Sequence, residues 1–250
     1  MSQFKDHFSE IAKTYADYRP QYPSDLYAWL ATLAPSQNLV WDCACGTGQA
    51  SVGLAQHFQQ VIATDASAEQ IAVAEPHPKI EWRVAPAEQS GLAAESMDLI
   101  TVAQALHWFD LDKFYAEAQR VLKAQGVLAV WTYGVLKIDE PQIDALVQDF
   151  YSNVVGPYWP PERAIVETGY KNLPFPFAEL AAPAFSMKLN WNRAQLLGYL
   201  RSWSATARYL KANGTDPVTQ LDQALASLWD DQTRYNTEWP LAFRVGRKLS

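Results

Sequence analysis

Between Leu39 and Gln49 the chain runs Leu-Val-Trp-Asp-Cys-Ala-Cys-Gly-Thr-Gly-Gln, an apolar run ending in an acid and then a turn with two glycines. Gly46 and Gly48 can take positive φ and bring bare backbone against a ligand, so the pattern predicts a strand feeding a binding loop. Leu54, Ala55 and Phe58 follow on one side of a helix, and a second apolar strand, Val61-Ile62-Ala63-Thr64, ends in Asp65. Such a unit opens a doubly wound α/β sheet, whose ligand lies outside the carboxyl ends of the strands.

The interval from Gly46 to Asp65, 65 − 46 = 19 residues, also fits the ~20 of a nicotinamide or flavin dinucleotide site. Asp42 argues against pyrophosphate: a carboxylate at the lip of the loop would repel it and attract a cationic amino group. The third small position of G-x-G-x-x-G is Ser51. The adenosine ligand that carries an ammonium in place of phosphates is S-adenosylmethionine.

On these residues the chain resembles the class I S-adenosylmethionine-dependent methyltransferases, in the methyltransferase type 11 group. The family's acid-x-G-x-G-x-G motif falls on Asp42, Ala44, Gly46 and Gly48, with Ala44 in place of the first glycine. Asp65, Ala87-Glu88 after the third strand and Gln104 after the fourth follow in order. Within the superfamily the chain is most similar to the trans-aconitate-methyltransferase-like branch. The residues carrying this are Arg19-Pro20-Gln21-Tyr22-Pro23, the run from Ala103 to Phe109, the run from Tyr199 to Ser204, and Trp239-Pro240-Leu241. The resemblance implies a Rossmann-like, seven-stranded, mostly parallel sheet whose last strand is antiparallel and slips between its neighbours. It also implies a cofactor site built from Asp42, Cys45, Gly46, Thr47, Gly48, Gln49, Asp65, Ala66, Ala87, Glu88 and Gln104, under a lid carrying Tyr15, Tyr18 and Arg19.

One domain is expected, made of an N-terminal helical lid (1–35), a cofactor-binding core (36–133), a cap insertion on the substrate side (134–235) and a final strand (236–250). In the lid one helix carries Phe4, Phe8, Ile11 and Tyr15, and a second carries Leu26, Trp29, Leu30 and Leu33. Apolar runs near 39–43, 60–64, 80–84, 97–103 and 126–131 alternate with helices, the mark of parallel strands covered on both faces. The helix from Leu111 buries Phe114, Tyr115, Ala118, Val121 and Leu122 and is closed by Gly126. In the insertion, Ile143, Leu146, Val147 and Phe150 have helical spacing, and the prolines that follow exclude a plain core strand. A strand near 183–190, helices near 192–210 and 217–230, and a strand near 237–245 finish the chain.

The net charge of −7 without a long basic run argues against a nucleic-acid partner and for a small-molecule acceptor. No secretory block and no run near ~18 apolar residues is present, so a cytoplasmic location without a membrane span is expected. Cys43 and Cys45 alternate along an extended segment and face opposite ways, which suits packing rather than a disulfide or chelate. Four scattered histidines lack ligand spacing, and no metal is expected. The oligomeric state is not legible.

Asp65 can accept both ribose hydroxyls or cap the helix starting near Ser67. Glu88 is an adenine-side acid or a surface one, Gln104 lines the methionine portion, and Trp108 and Tyr133 wall the transfer chamber. His107 is either a general base or a residue that orients a neighbour by hydrogen bonding. A carboxylate acceptor (pKa about 4) is already ionised and needs no base, but calls for an Arg fork. Arg19, Arg163, Arg201 and Arg208 are the candidates, with Arg201, Ser204 and Arg208 on one helix face. Trp159 and Trp203, with Tyr158, Tyr170, Trp191 and Tyr199, either line an apolar acceptor pocket or form a satellite core. The leading expectation is carboxyl O-methylation of a small molecule. The alternatives are O- or N-methylation of a lipid or secondary metabolite, an NAD-dependent oxidoreductase, and a non-catalytic nucleoside-binding protein.

Overall fold

The computed structural model describes residues 20–249, so the expectations for Phe4, Phe8, Ile11, Tyr15, Tyr18 and Arg19 lie outside the described residues. In chain order the first elements are α1 (Ser24–Leu33), β1 (Leu39–Cys43), α2 (Gln49–Leu54), β2 (Gln60–Asp65), α3 (Ala68–Ala72), β3 (Ile80–Val84), β4 (Met97–Ala103), α4 (Leu111–Val121) and β5 (Leu122–Tyr133). They continue with β6 (Lys137–Ile138), α5 (Pro141–Asp149), α6 (Arg163–Glu167), β7 (Ala178–Leu180), β8 (Ser186–Trp191), α7 (Arg193–Arg201), α8 (Ser204–Asn213), α9 (Pro217–Ala226) and β9 (Tyr235–Arg247). Contacts divide the chain into a core unit (22–134, 164–186 and 240–249) and a second unit (135–163 and 187–239). Residues 164–186, grouped with the insertion on sequence, thus belong by contact to the core unit.

The core unit holds the doubly wound sheet, in the order β3-β2-β1-β4-β5-β9-β7. The first five strands are parallel, and β9 runs antiparallel between β5 and β7. Chain order reverses on either side of β1, so the switch point lies between β1 and β4. Val40, Trp41, Leu99, Ile100, Val102, Leu128 and Val130 are fully buried, as strands covered on both faces require.

Register fixes which side chains share a face. Trp41, Ile62, Ile100 and Leu128 align across four strands and pack in one core cluster with Phe114, Tyr115, Ala118 and Val121 of α4. Each of these large side chains adds about 1.5–3 kcal/mol by leaving water. Val166, Tyr170 and Phe177 join the same cluster, which ties segment 164–186 to the sheet. Asp110 caps α4 by accepting from Lys113 N at 3.4 Å. The helix ends at Val121 rather than at Gly126, because Leu122 is already extended (φ −68°, ψ 136°) and Gly126 lies inside β5.

The opposite face carries Asp42, Ala63, Trp82, Thr101 and Ala129 in register. On it α1 packs, with Tyr22 edge-on to Trp131 at 5.4 Å and Trp29 against Phe243 at 6.2 Å.

In the second unit, β6 pairs antiparallel with the first residues of β9. Its rings pack on one another: Trp203 meets Trp159 at 5.5 Å, Tyr151 at 5.7 Å and Tyr199 at 5.8 Å. The single helix expected near 192–210 is two helices. The Ser202 hydroxyl donates to Tyr199 O and Trp203 is extended (φ −67°, ψ 137°), so Arg201 and Arg208 do not share a helix face.

Candidate active site

The turn after β1 concentrates left-handed backbone: Ala44 has φ 54°, Gly46 57° and Gly48 94°. At Gly48 a Cβ would stand 2.1 Å from Trp82 Cη2, so only glycine fits between the ring and the start of α2. At Gly46 a Cβ would meet Gln70 Oε1 at 3.9 Å, an ordinary contact, so among the described residues nothing blocks a side chain there. Ala44, at the family's first glycine, carries a left-handed conformation that costs a residue with a Cβ roughly 1–2 kcal/mol.

Asp65 stitches this turn to the end of β2. Its Oδ2 accepts from Gly46 N at 2.8 Å and its Oδ1 from Ser67 N at 2.9 Å. Ser67, not Asp65, caps α3, accepting from Gln70 N at 3.2 Å. A carboxylate offers about four acceptor positions, so two backbone donors leave capacity for two ribose hydroxyls.

Asp42 does not stand at the lip of the loop. It is fully buried, because its register position on the central strand sends the side chain beneath α2. There it accepts from Ser51 Oγ at 2.5 Å and Thr101 Oγ1 at 2.8 Å. Burial pushes its carboxyl up to about 6, partly offset by those two hydroxyls, and Asp65 adds a like charge. Cys43 is buried and Cys45 half-buried, both as free thiols. Burial raises both thiols, so neither is a ready nucleophile.

The other predicted residues separate by what holds them. Glu88 Oε1 accepts from Asp110 N at 2.9 Å and so braces the start of α4. Ala87 is buried, while Thr47 and Ala66 are exposed and Gln49 is half-buried. Gln104, at φ 59°, spends its amide on β5, accepting from Thr132 Oγ1 at 2.5 Å and donating to Tyr133 O at 3.1 Å. His107 Nδ1 lies 3.0 Å from the Tyr170 hydroxyl. Trp108 is 63% exposed beside it, with ring centroids 4.7 Å apart.

Trp159 and Trp203 belong to the second unit and pack against each other at a tilt of 51°. Arg201 pairs with Asp216 at 3.0 Å, so the structure commits that cation to the cap of α9. Arg163 lies over Trp159 at 4.8 Å and Tyr151 at 5.2 Å. Among the described residues no group of His, Cys, Asp and Glu could hold a metal ion. No helix among them is long and apolar enough to cross a membrane.

Three partners escaped the sequence, Ser51 and Thr101 on Asp42 and Trp82 under Gly48; Tyr170 was named among the aromatics but not as the neighbour of His107. Ser51 was noted only for its size. The pairing of Thr101 and Trp82 with the loop depends on strand register, which a single sequence does not show.

A family model described as a methyltransferase domain matches residues 41–130. A curated protein of Dictyostelium discoideum, whose designation as a methyltransferase is provisional, is 34% identical over 227 residues, covering 90% of this chain and 86% of its own length. A Saccharomyces cerevisiae protein, designated with similar reserve an S-adenosylmethionine-dependent methyltransferase, is 31% identical over 129 residues. That match covers 48% of this chain and 44% of the yeast protein. A solved structure from Anaeromyxobacter dehalogenans, titled with the same reserve a type II methyltransferase, superposes with a TM-score of 0.88 at 44% identity. It covers 92% of this chain and 98% of that one.

Proposed function

This chain belongs to the S-adenosylmethionine-dependent methyltransferases, and on that premise we propose that it methylates a carboxylate oxygen of a small molecule. Its residues fit the family's cofactor on three counts. Gly46 would take a side chain with no clash among the described residues, Asp65 retains acceptor positions after its two backbone bonds, and Asp42 is a buried carboxylate held by two hydroxyls. Asp65 would accept the ribose hydroxyls, and the turn from Cys45 to Gln49 would hold the amino-acid portion. The charge of Asp42 behind that turn would favour its ammonium.

When bound, S-adenosylmethionine supplies a methyl carbon already activated by the sulfonium. The residues around it align the acceptor oxygen with that carbon and exclude water, effects worth up to ~7–11 kcal/mol in ideal cases. A carboxylate acceptor is ionised at neutral pH and gives up no proton. Supporting this choice of acceptor, His107 Nδ1 meets the Tyr170 hydroxyl at 3.0 Å, in the position where a carboxylate serves a histidine that must hold a proton. Membership of the trans-aconitate-methyltransferase-like branch is part of the same proposal, supported by the run from Ala103 to Phe109.

The test is a methyl-release assay over panels of small carboxylic acids, alcohols and amines, with the wild type and His107→Ala. The expected result is turnover of acids and a loss in the variant of no more than about tenfold, the scale of one hydrogen bond. Turnover confined to alcohols or amines, with a loss of several orders of magnitude in the variant, refutes the reading and assigns His107 as a base.

A further inference from the structure

One face of the last strand seats the segment that returns to the sheet. Ala242, Arg244 and Gly246 alternate along β9 and so share that face. A Cβ on Gly169 would lie 2.7 Å from Ala242 Cβ, and one on Gly246 would lie 2.6 Å from Phe177 Cβ, so the two chains touch closely at both ends. Between them Arg244 Nη1 donates to Tyr170 O at 3.2 Å and to Leu173 O at 2.5 Å. Its guanidinium lies 4.6 Å over the Phe175 ring and its Nη2 pairs with Glu179.

The seated piece is the end of α6. Gly169 N donates to Val166 O at 2.9 Å and Tyr170 N to Ile165 O at 3.3 Å, the two bonds of a Schellman turn, with Gly169 left-handed at φ 61°. Tyr170 adds a second left-handed residue at φ 64°, a state that a bulky side chain keeps only where its surroundings impose it. It is fully buried, and its hydroxyl lies 3.0 Å from His107 Nδ1 in the loop after β4.

We propose that Arg244 is a positioning residue for His107: by holding two carbonyls of this turn on β9 it sets where the Tyr170 ring stands, and through that ring the place of the imidazole. The role of His107 toward the acceptor rests on the carboxylate reading above; its placement by Arg244 does not.

The experiment is proton–carbon NMR of the histidine rings, with the His107 signals identified by their loss in His107→Gln. Arg244→Met keeps the aliphatic stem and removes every donor. The His107 signals should move while those of His57 and His77 stay. Turnover of the acid found in the panel above should fall about tenfold, with the affinity for adenosylhomocysteine unchanged in calorimetry. Both carbonyl bonds come from one nitrogen, which an ammonium can replace, so Arg244→Lys should return signals and turnover toward the wild type. An Arg244→Met protein that melts lower but keeps wild-type His107 signals overturns the proposal, because a purely structural role lowers stability without moving that ring. Equal loss of adenosylhomocysteine binding overturns it too. If Arg244→Met does not fold, Gly169→Ala, whose Cβ forces the same turn off Ala242, decides by the same signals. Moved His107 signals in a protein that methylates no carboxylic acid uphold Arg244 and remove the carboxylate reading instead.

Discussion

Replacing Asp42 by Asn separates the charge of this residue from its hydrogen bonds. In the fold the carboxyl is raised from 3.8 to about 6, chiefly by burial. Between those two values the native state therefore binds more protons than the unfolded chain, so stability falls as pH rises through the window and levels off above it. The interval, 6 − 3.8 = 2.2 units, corresponds to roughly 3 kcal/mol at 1.36 kcal/mol per unit. Asn cannot ionise and loses this dependence. Its amide can still meet Ser51 and Thr101, one hydroxyl turning to accept, and any cost of that exchange does not vary with pH. Urea unfolding of both proteins from pH 4 to 8 should show the wild type losing most of that ~3 kcal/mol relative to Asp42→Asn between pH 4 and 7. Adenosylhomocysteine should bind Asp42→Asn more weakly at pH 8, because the charge behind the loop is gone. Parallel stability curves across the range would refute the buried, ionising Asp42 on which this reasoning depends.

Gly48→Ala should lower stability by about 2–5 kcal/mol, summing left-handed strain and overpacking against Trp82. In a double-mutant cycle Trp82→Leu should recover about 1–3 kcal/mol of it, and additive effects would show that the ring is not the obstacle. Asp65→Ala should weaken adenosylhomocysteine binding by more than tenfold in calorimetry, as charge-assisted bonds of about 1.5–3 kcal/mol are lost; unchanged affinity would remove the ribose assignment. Glu117 titrates oppositely to Asp42: Arg120 beside it, with Ser90, holds its carboxyl down at about 2. The stability it adds is complete above its ordinary value of 4.5 and disappears as pH falls toward 2. Glu117→Gln should therefore melt lower at pH 7 and match the wild type near pH 2.

The alternation of strands and helices from β1 to β5 was legible because each element carries its own period. Leu39 to Cys43 and Met97 to Ala103 are apolar runs of strand length, and Phe114, Tyr115, Ala118 and Val121 mark one helix face. Element ends were less so. Nothing in the spacing from Tyr199 to Arg208 announces the break at Trp203, where the backbone turns extended, and Gly126 was taken for a cap although it sits in β5.

For the site, the residues after each parallel strand could be named in advance, since the fold class alone sends ligands to that edge. What those residues do was decided by packing. Asp42 was identified as part of the loop motif, but burial and two hydroxyls set its charge state. Asp65 was chosen for its acid, and the glycine turn closes onto it through Gly46 N.

By itself the sequence determined an α/β methyltransferase core, its glycine turn and its strand-end acids, because those depend on residue type and on spacings of a few tens of positions. Tertiary structure alone decided that Thr101 and Ser51 would meet Asp42, that Trp82 would lie under Gly48, and that Tyr170 would hold His107. Contacts such as Thr101 on Asp42 and Tyr170 on His107 join positions 59 and 63 residues apart. They are set by strand register and by the return of segment 164–186 to the sheet, neither of which any local pattern encodes.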